Sequence, residues 1–423
     1  MKILQLCKKF PYPLKDGESI AVTYLSKALF ELGCEITLLA MNTSKHYLPL
    51  EELPEHYNHY KKIETVYIYN HLNPWDAFKN LFSKESYHIT RFISKDFEKK
   101  LITLLQQEQY DVIQLETIYL APYIPVIRKY SSSIISMRAH NIEHEIWERY
   151  ADNISFLPKK WYMKYLNKKL KRYEMEQLNN YDMLVAITER DLKKFIEMGE
   201  RKKAVSSPIG LDIRDYMAND SCFEGNLTAG FIGSLDWMPN QEGLVWFLDE
   251  VWDALSAKYP EIELHIAGRN TPWWIAKRRS QKVIIHGEIP DAVSFINQHP
   301  IMIVPLFSGS GMRVKILEGM ALGKVVITTS LGLEGINASH LEEVIVADTP
   351  EEFITCFEYC VNHRQEMLDI GRKAQVFVAR NYDNRSIAKD LMTAYRELGS
   401  HQLNGSKVKI VKESLIKKNN TLL

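Results

Sequence analysis

The sequence predicts an α/β fold made of two doubly wound domains. Short apolar strands alternate with amphipathic helices from the first residue, and the alternation restarts after a polar stretch near the middle. The chain of 423 residues is long enough for two or three domains. Strands alternating with helices imply parallel sheets with helices on both faces. Ligands bind such sheets outside the carboxyl ends of the strands, so two facing halves would form a central cleft there.

The first half is predicted to hold six strands, each a short apolar run. Residues 19–33 carry an apolar side chain every three or four positions and end in a glycine, which predicts an amphipathic helix. Longer helices are predicted over 92–109 and 160–180. The predicted strands are 2–7, 35–41, 66–71, 111–116, 133–139 and 183–187.

The second half repeats the alternation after residues 206–227, a polar and turn-rich stretch. Its predicted strands are 228–234, 262–268, 282–287, 301–306, 325–330 and 342–348. We therefore divide the chain into an N-terminal domain, a C-terminal domain, a last helix that could pack back on the N-terminal domain, and a polar basic tail. Their bounds are 1–205, 206–385, 386–400 and 401–423.

Composition excludes several classes of protein. Lysine and arginine number 53, as do aspartate and glutamate, and this balance disfavours a general nucleic-acid binder. The five cysteines are scattered and fit neither a disulfide framework nor a four-ligand zinc site. The first residues hold only a short apolar run, and no apolar stretch reaches the roughly 20 residues of a membrane span. We expect a cytoplasmic protein.

The stretch "FSGSGMRVKILEGM" at 307–320 is the strongest candidate site. It follows the strand 301–306, supplies two glycines for a close backbone approach, and is predicted to open a helix from about Met312. The N-terminus of a helix favours a phosphate, and Arg313 and Lys315 add positive charge there. Glu318, one turn later, could accept hydrogen bonds from ribose hydroxyls. The alternative is a surface turn with a solvated, charged first helical turn.

The stretch resembles the donor site of the retaining glycosyltransferases of family 4, whose GT-B fold has two Rossmann-like domains. "FPYPLKDGESIAVTYLSKAL" is similar to that family's first loop and helix, and "RAHNIEHEIWER" to its His-Asn-hydrophobe-Glu segment. "GFIGSLDWMPNQEGLVWFLDEVW" and "GLEGI" resemble segments of its C-terminal domain. The resemblance spans roughly residues 1–400. It implies transfer of a sugar from a nucleotide-sugar donor to a hydroxyl of a glycan or lipid-linked sugar, in bacterial surface polysaccharide biosynthesis.

The resemblance assigns roles residue by residue. It implies that His140 contacts the donor sugar near the reaction centre and that Arg313 and Lys315 neutralise the diphosphate, so that neither a metal ion nor a cofactor is expected. The family's first glutamate falls at Ser310, which puts the sugar's identity in doubt. The donor-binding residues are expected to be Gly17, Gly233, Ser234, Glu288, Ile289, Gly309, Ser310, Gly311 and Glu318. The acceptor residues are expected to be Glu116, Asn141 and Glu143.

Other interpretations stay open. The same fold could serve a nucleotide-sugar epimerase, or a non-catalytic protein that binds a nucleotide-sugar. The predicted helix at 159–172 is rich in lysine interleaved with aromatic residues. It could lie on the inner face of an anionic membrane, through Lys164, Lys168, Lys169 and Lys171, or be a solvated helix packed by its aromatic side chains. Lys324, just beyond the predicted helix of the 307–320 stretch, is expected to lie away from the phosphates.

Overall fold

The computed structural model describes residues 1–14, 17–55, 57–70, 74–309 and 311–400. The chain divides into two compact units. Unit 1 comprises Met1–Pro208 and the chain from Arg385 onward, and unit 2 comprises Ile209–Asn384. The predicted tail at 401–423 lies outside the described residues.

Unit 1 is built on a sheet of seven parallel strands in the order β3-β2-β1-β4-β5-β6-β7. Successive side chains of a strand point to opposite faces of the sheet. The strands are apolar on both faces because helices cover each face. The strands are β1 Lys2–Cys7, β2 Glu35–Thr43, β3 Lys62–Ile68, β4 Val112–Leu115, β5 Ile134–Ala139, β6 Met183–Ala186 and β7 Lys203–Ser206.

The helices of unit 1 occupy the connections between these strands, and one more follows at its C-terminal end over 384–400. Tyr395 of that last helix donates a hydrogen bond to Gln114 of β4 at 2.9 Å, which fixes the helix on the unit 1 sheet. The others are α1 Gly17–Glu31, α2 Pro74–Leu81, α3 Tyr87–Thr90, α4 Lys95–Gln107, α5 Ile124–Tyr130, α6 Glu143–Asp152, α7 Leu157–Gln177 and α8 Glu189–Glu197.

Unit 2 has a sheet of six parallel strands in the order β10-β9-β8-β11-β12-β13, around one apolar core. The strands are β8 Thr228–Ile232, β9 Glu263–Ala267, β10 Val283–Gly287, β11 Ile301–Val304, β12 Val325–Thr328 and β13 Ile345–Val346. The helices are α9 Met238–Trp246, α10 Asp253–Lys258, α11 Trp273–Ala276, α12 Ala292–Asn297, α13 Val314–Ala321, α14 Pro350–Asn362 and α15 Arg364–Asn381; a π-helical segment, Phe247–Trp252, joins α9 to α10.

The predicted fold class, two doubly wound parallel α/β domains, is confirmed. In each unit the strand order reverses once, between β1 and β4 in unit 1 and between β8 and β11 in unit 2. Ligands of doubly wound sheets bind at this reversal, outside the carboxyl ends of the strands. Most of the predicted site residues follow the strands at or near these two positions, whereas Glu288 and Ile289 follow the edge strand β10.

Two strand predictions were wrong in detail. The strand predicted over 66–71 is β3, which begins earlier, at Lys62, and ends at Ile68. β3 is the outermost strand of its sheet, so polar side chains are tolerated on it, and Lys62 and Glu64 form an ion pair at 3.0 Å. The strand predicted over 342–348 is reduced to Ile345–Val346.

Candidate functional site

The loop between β11 and α13 has the backbone that its glycines predict. Gly309 has a φ of +96° and Gly311 a φ of +83°, a left-handed conformation that only glycine adopts at little cost. Ser310, between them, lies outside the described residues, so its contact with a donor sugar stays a prediction. α13 begins at Val314, two residues later than predicted, and Arg313 is therefore its N-cap residue.

Lys315 lies in the first turn of α13 and is largely enclosed. Its Nζ donates a hydrogen bond to Asn240 Oδ1 at 2.7 Å and lies 5.1 Å from the centre of the Phe231 ring. Burial, reinforced by the neighbouring Arg313, lowers the pKa of Lys315 to about 7, although the nearby Glu318 acts in the opposite direction. A bound anion at this point would favour the charged ammonium.

Arg313 is buried, and its guanidinium folds beneath the glycine loop. Its Nη1 donates a hydrogen bond to the carbonyl of Gly311, and a methyl group placed on Gly309 would lie 3.4 Å from its Nη2. The positive charge thus lies directly under the backbone of the loop. A phosphate on this loop would meet main-chain amides and a cation together.

Glu318, one turn beyond Lys315, is held by a neighbour from the start of unit 2. Its Oε1 accepts a hydrogen bond from Tyr216 Oη at 3.0 Å. Burial raises the pKa of Glu318, while Tyr216 and Lys315 favour its charged form. The carboxylate is in place to accept hydrogen bonds from hydroxyl groups, as a ribose contact requires, although that role stays a prediction.

Gly233 and Ser234, after β8, meet the first turn of α13. A Cβ on Gly233 would lie 3.2 Å from Lys315 Nζ and 2.8 Å from Asn240 Nδ2, so a larger residue cannot fit there without displacing the amide. The carbonyl of Ser234 accepts a hydrogen bond from Asn240 Nδ2 at 2.8 Å. The structure therefore brings Gly233, Ser234 and Lys315 together at the reversal of the unit 2 sheet.

Glu288 and Ile289 lie farther along the same edge of the unit 2 sheet. They follow β10, the outermost strand, and β9 lies between β10 and β8, the strand at the reversal. Glu288 is exposed. Their predicted main-chain contacts with a base stay a prediction.

Lys324 is buried beside the 219–222 segment, and its expected position away from the phosphates stays a prediction. Its side chain is fully buried, and its Nζ donates hydrogen bonds to the carbonyl of Asn219 at 2.7 Å and to Cys222 Sγ at 3.3 Å. Its ammonium therefore anchors the 219–222 segment. A change at Lys324 would disturb packing, so it cannot act as a neutral reference for Lys315.

In unit 1, Glu116 is the centre of a buried polar network. Its carboxylate accepts hydrogen bonds from Gln5 at 2.6 Å, Arg138 at 3.3 Å and His140 at 2.9 Å. Burial alone would raise the pKa of Glu116, but Arg138 and His140 outweigh burial and lower the pKa to about 2. Glu116 is fully buried, and its direct contact with an acceptor stays a prediction.

This network orients the His140 ring. Because the Glu116 carboxylate is ionised, the contact between His140 Nε2 and Glu116 requires a proton on Nε2. In the neutral ring, Nδ1 is then the acceptor. His140 follows β5 directly, at the carboxyl edge of the sheet, and the contact with the sugar that the resemblance implies stays a prediction.

A second chain of contacts joins the start of α1 to the start of α6. Glu18, next to Gly17, lies 3.3 Å from Lys8, and the Lys8 ammonium lies 4.3 Å above the Tyr119 ring. Tyr119 in turn donates a hydrogen bond to Glu143 at 3.0 Å. A Cβ on Gly17 would meet no described atom within 4 Å. Packing within the described residues therefore does not require a glycine at position 17. Close approach of its backbone to a phosphate stays a prediction.

Asn141 and Glu143 line a small cavity together with His140. Burial raises the pKa of Glu143, while Lys8 acts against this effect and Glu174 adds to it. The Glu174 carboxylate contacts the start of α6: it accepts hydrogen bonds from the backbone amide of Glu143 at 3.1 Å and from His144 Nδ1 at 2.6 Å. The N-terminus of α6 thus has its own acidic partner, and the acceptor roles of Asn141 and Glu143 stay predictions.

Sequence reasoning missed three residues that hold the predicted ones in place. Arg138 is a charged residue within the buried strand β5, which is a signal that the sequence did offer. Glu174 and Asn240 gave no signal, because each acts on a partner that is distant in sequence.

Comparison with known proteins bears on both units. Residues 226–363, within unit 2, match the model of a family described as glycosyl transferases group 1. A Klebsiella pneumoniae protein described as an uncharacterized 44.6 kDa protein in the cps region is 22% identical over 408 residues, which is 91% of this chain and 97% of that protein.

Two solved structures cover nearly the whole chain. HepE from Anabaena, in complex with UDP, is 16% identical with a TM-score of 0.67, and the match covers 94% of this chain and 100% of the HepE chain. Sucrose-phosphate synthase from Thermosynechococcus elongatus is 14% identical with a TM-score of 0.68, and the match covers 95% of this chain and 100% of the synthase chain. At this identity the structures establish the fold, which is GT-B, with two Rossmann-like domains. The matched region and the fold together support a group 1 glycosyltransferase.

Proposed function

We propose that this protein is a retaining glycosyltransferase of family 4 that transfers a sugar from a nucleotide-sugar donor to a hydroxyl of a glycan or lipid-linked sugar. The observation that carries the proposal is the cluster of Arg313, Lys315 and Glu318 at the reversal of the unit 2 sheet. This cluster lies inside the region that matches the glycosyltransferase family model.

The cluster suits the chemistry of the leaving group. When the bond between the sugar and the diphosphate breaks, negative charge grows on the departing phosphate oxygen. Cations that are already in place stabilise this charge without the cost of reorganisation. Lys315 and Arg313 supply two such cations beside main-chain amides, and Glu318 supplies an acceptor for ribose hydroxyls. We propose that these groups compensate the charge without a divalent metal ion.

His140 and its neighbours complete the proposal from unit 1. Glu116 fixes the proton of His140 on Nε2, which leaves Nδ1 of the neutral ring as an acceptor for a sugar hydroxyl. Glu116 and Arg138 are then positioning residues. Asn141 and Glu143, which line the same small cavity, are proposed to face the acceptor.

The comparisons support a first choice of donor and setting. HepE was solved with UDP and with UDP-glucose, so uridine diphosphate sugars are the first donors to test here. The Klebsiella relative is described by its place in the cps region, which supports a setting in polysaccharide biosynthesis.

The product is expected to keep the anomeric configuration of the donor. This follows from the proposed family, because retention means that the new bond forms on the sugar face that the diphosphate leaves. Proton NMR of the purified product checks it, because the coupling constant of the anomeric proton distinguishes the two anomers. An inverted product would contradict the assignment to this family.

A further inference from the structure

Helix α7 presents an exposed stripe that mixes apolar and basic side chains. Leu157, Trp161, Lys164 and Lys168 are spaced three or four residues apart, so they share one face of the helix. Leu157 is 75% exposed and Trp161 is 68% exposed. Large apolar side chains exposed in adjacent turns form the kind of patch that marks an interaction surface.

Further apolar side chains extend the stripe. Phe82, which is 81% exposed, follows α2 directly. Tyr165 donates a hydrogen bond to the carbonyl of Leu81 at 2.7 Å, and its ring stacks on Trp161 with a centroid distance of 5.9 Å. This link holds Phe82 near the stripe, and Phe156 is exposed at the start of α7. We call Phe82, Phe156, Leu157, Trp161 and the basic residues of α7 that face solvent the aromatic–basic face.

The charge of this face is of one sign along the helix. From Leu157 to Tyr173 the sequence contains no acidic residue. Lys164 pairs with Asp152 of α6 at 2.8 Å, but both side chains stay more than half exposed. Lys169 was expected to face a membrane, and this expectation was wrong: it is buried, and its Nζ bonds to Asn80. The exposed basic residues on the Trp161 side of α7 are Lys164, Lys168, Lys171 and Arg172. Lys160 is half-buried, and its Nζ donates a hydrogen bond to the carbonyl of Asp152 at 2.7 Å.

We propose that the aromatic–basic face docks unit 1 on an anionic membrane surface. Apolar side chains would enter the boundary between headgroups and acyl chains, where tryptophan is favoured, and lysine ammonium groups would reach the lipid phosphates. Within the part of the chain that the structure describes, none of the helices combines the length and hydropathy needed to cross a bilayer. Contact through a surface helix needs no such span and would bring a lipid-linked acceptor to the enzyme.

Vesicle co-sedimentation of the full chain tests this proposal. Wild-type protein is expected to bind phosphatidylcholine vesicles that contain phosphatidylglycerol, and to bind pure phosphatidylcholine vesicles at least ten-fold more weakly. Trp161→Ser with Leu157→Ser should weaken binding at least ten-fold. Lys164→Gln, Lys168→Gln and Lys171→Gln together should weaken it by about 100-fold, since each basic residue near an anionic surface contributes about five-fold.

A matched control comes from unit 2. Trp273 is 69% exposed, and the Lys277 ammonium lies 4.5 Å from its ring centre, so this pair repeats the chemistry of the face elsewhere. Trp273→Ser with Lys277→Gln should leave vesicle binding unchanged. All variants keep residues 401–423, so a loss of binding is assigned to the face and not to the lysines of the tail.

Three results would overturn the proposal. The wild-type protein could fail to bind anionic vesicles, or the face variants could bind them as the wild type does. In the third result vesicle binding is absent, and light scattering shows a dimer that dissociates when Trp161 and Leu157 are changed. The last result would assign the face to a second copy of the chain. The measurement needs no sugar transfer, so its outcome is independent of the proposed function.

A separate observation in unit 2 concerns Asn240. This residue is 4% exposed, in the first turn of α9, and both ends of its amide are in use. Oδ1 accepts a hydrogen bond from Lys315 Nζ and Nδ2 donates one to the carbonyl of Ser234. The two bonds fix the orientation of the amide, since the ammonium needs an acceptor and the carbonyl needs a donor.

We infer that Asn240 is a positioning residue that holds Lys315 toward the donor phosphates without neutralising it. An amide oxygen accepts a hydrogen bond from the ammonium but carries no full charge. A carboxylate at the same point would pair with the ammonium and would repel a phosphate. This inference rests on the proposed binding of a nucleoside diphosphate at Lys315.

The isosteric change Asn240→Asp separates positioning from packing. We expect it to weaken the binding of the best-bound nucleoside diphosphate by about ten-fold or more. It should also shift the pH dependence of that affinity upward, because a carboxylate partner favours the charged form of Lys315. Gln241→Ala is the control, since Gln241 bonds to the next carbonyl, that of Leu235, at 2.5 Å.

The inference fails if Asn240→Asp and Gln241→Ala leave the same affinity and the same pH profile. Thermal unfolding of both variants shows whether either change acts only on stability. If the wild type binds no nucleoside diphosphate at all, the proposed function itself fails. If the wild type binds one and Asn240→Asp binds it equally well, only the role of Asn240 fails.

Discussion

Lys315→Ala is expected to lower kcat/KM for the nucleotide-sugar donor by roughly 10- to 150-fold. The variant removes a hydrogen bond that gains strength as charge develops on the leaving diphosphate. Such charge-assisted bonds contribute about 1.5–3 kcal/mol each, and each 1.4 kcal/mol is a factor of ten in rate. Steady-state kinetics with the best donor measures the effect.

Lys373→Ala is the control for this change. Lys373 is an exposed lysine of unit 2 that pairs with Glu342 at 2.5 Å, on helix α15 and away from the glycine loop. Exposed pairs of this kind contribute little, so donor kinetics should be unchanged. Equal effects of Lys315→Ala and Lys373→Ala would mean that the loop is only a turn.

The same lysine gives the affinity a pH dependence. The pKa of Lys315 is lowered to about 7 by burial, so without ligand the ammonium loses its proton as the pH rises through that value. A bound diphosphate stabilises the charged form, and affinity should therefore fall as the pH rises above about 7. This fall should be absent in Lys315→Ala.

Glu116→Ala is expected to destabilise unit 1 by about 3–5 kcal/mol at neutral pH. The change leaves the fully buried Arg138 without its carboxylate and removes the partner of His140. An uncompensated buried charge is among the most destabilising changes that a single substitution can make. Urea unfolding, followed by a probe in unit 1, measures the loss.

The control and the pH window for Glu116 both follow from its surroundings. Glu35→Ala removes an exposed partner of Lys61 and should change stability little. The folded-state pKa of Glu116 lies at about 2, below its ordinary value of 4.5, so its contribution is present above pH 4.5 and is lost as the pH falls toward 2. A loss no greater than that of Glu35→Ala would contradict the assigned role of the network.

The sequence was enough to predict most of the fold, because buried parallel strands are continuous apolar runs. β11 and β12 are buried at every position, and both were predicted. The edge strand β3 was misplaced and β7, Lys203–Ser206, was missed, since partly exposed strands with lysine and serine lack that signal. Edge strands depend on the neighbour they pair with, which the sequence does not display.

The same limit applies to the candidate site. The glycines and cations of the 307–320 stretch are close in sequence, so their grouping could be predicted from spacing. The link from Lys315 to Asn240 spans 75 residues, and the link from Glu116 to Gln5 spans 111. Such pairs form only when the parallel strands are aligned in the folded sheet, and this alignment cannot be predicted from a single sequence.

Equilibrium binding of nucleoside diphosphates by calorimetry tests the central claim most directly, because it needs neither the sugar nor the acceptor. We predict that at least one of UDP, dTDP, GDP and ADP binds the wild-type protein saturably at one site. The same ligand should bind Lys315→Ala at least ten-fold more weakly and Lys373→Ala unchanged. Absence of binding by all four, or equal binding to the wild type and both variants, would contradict the account.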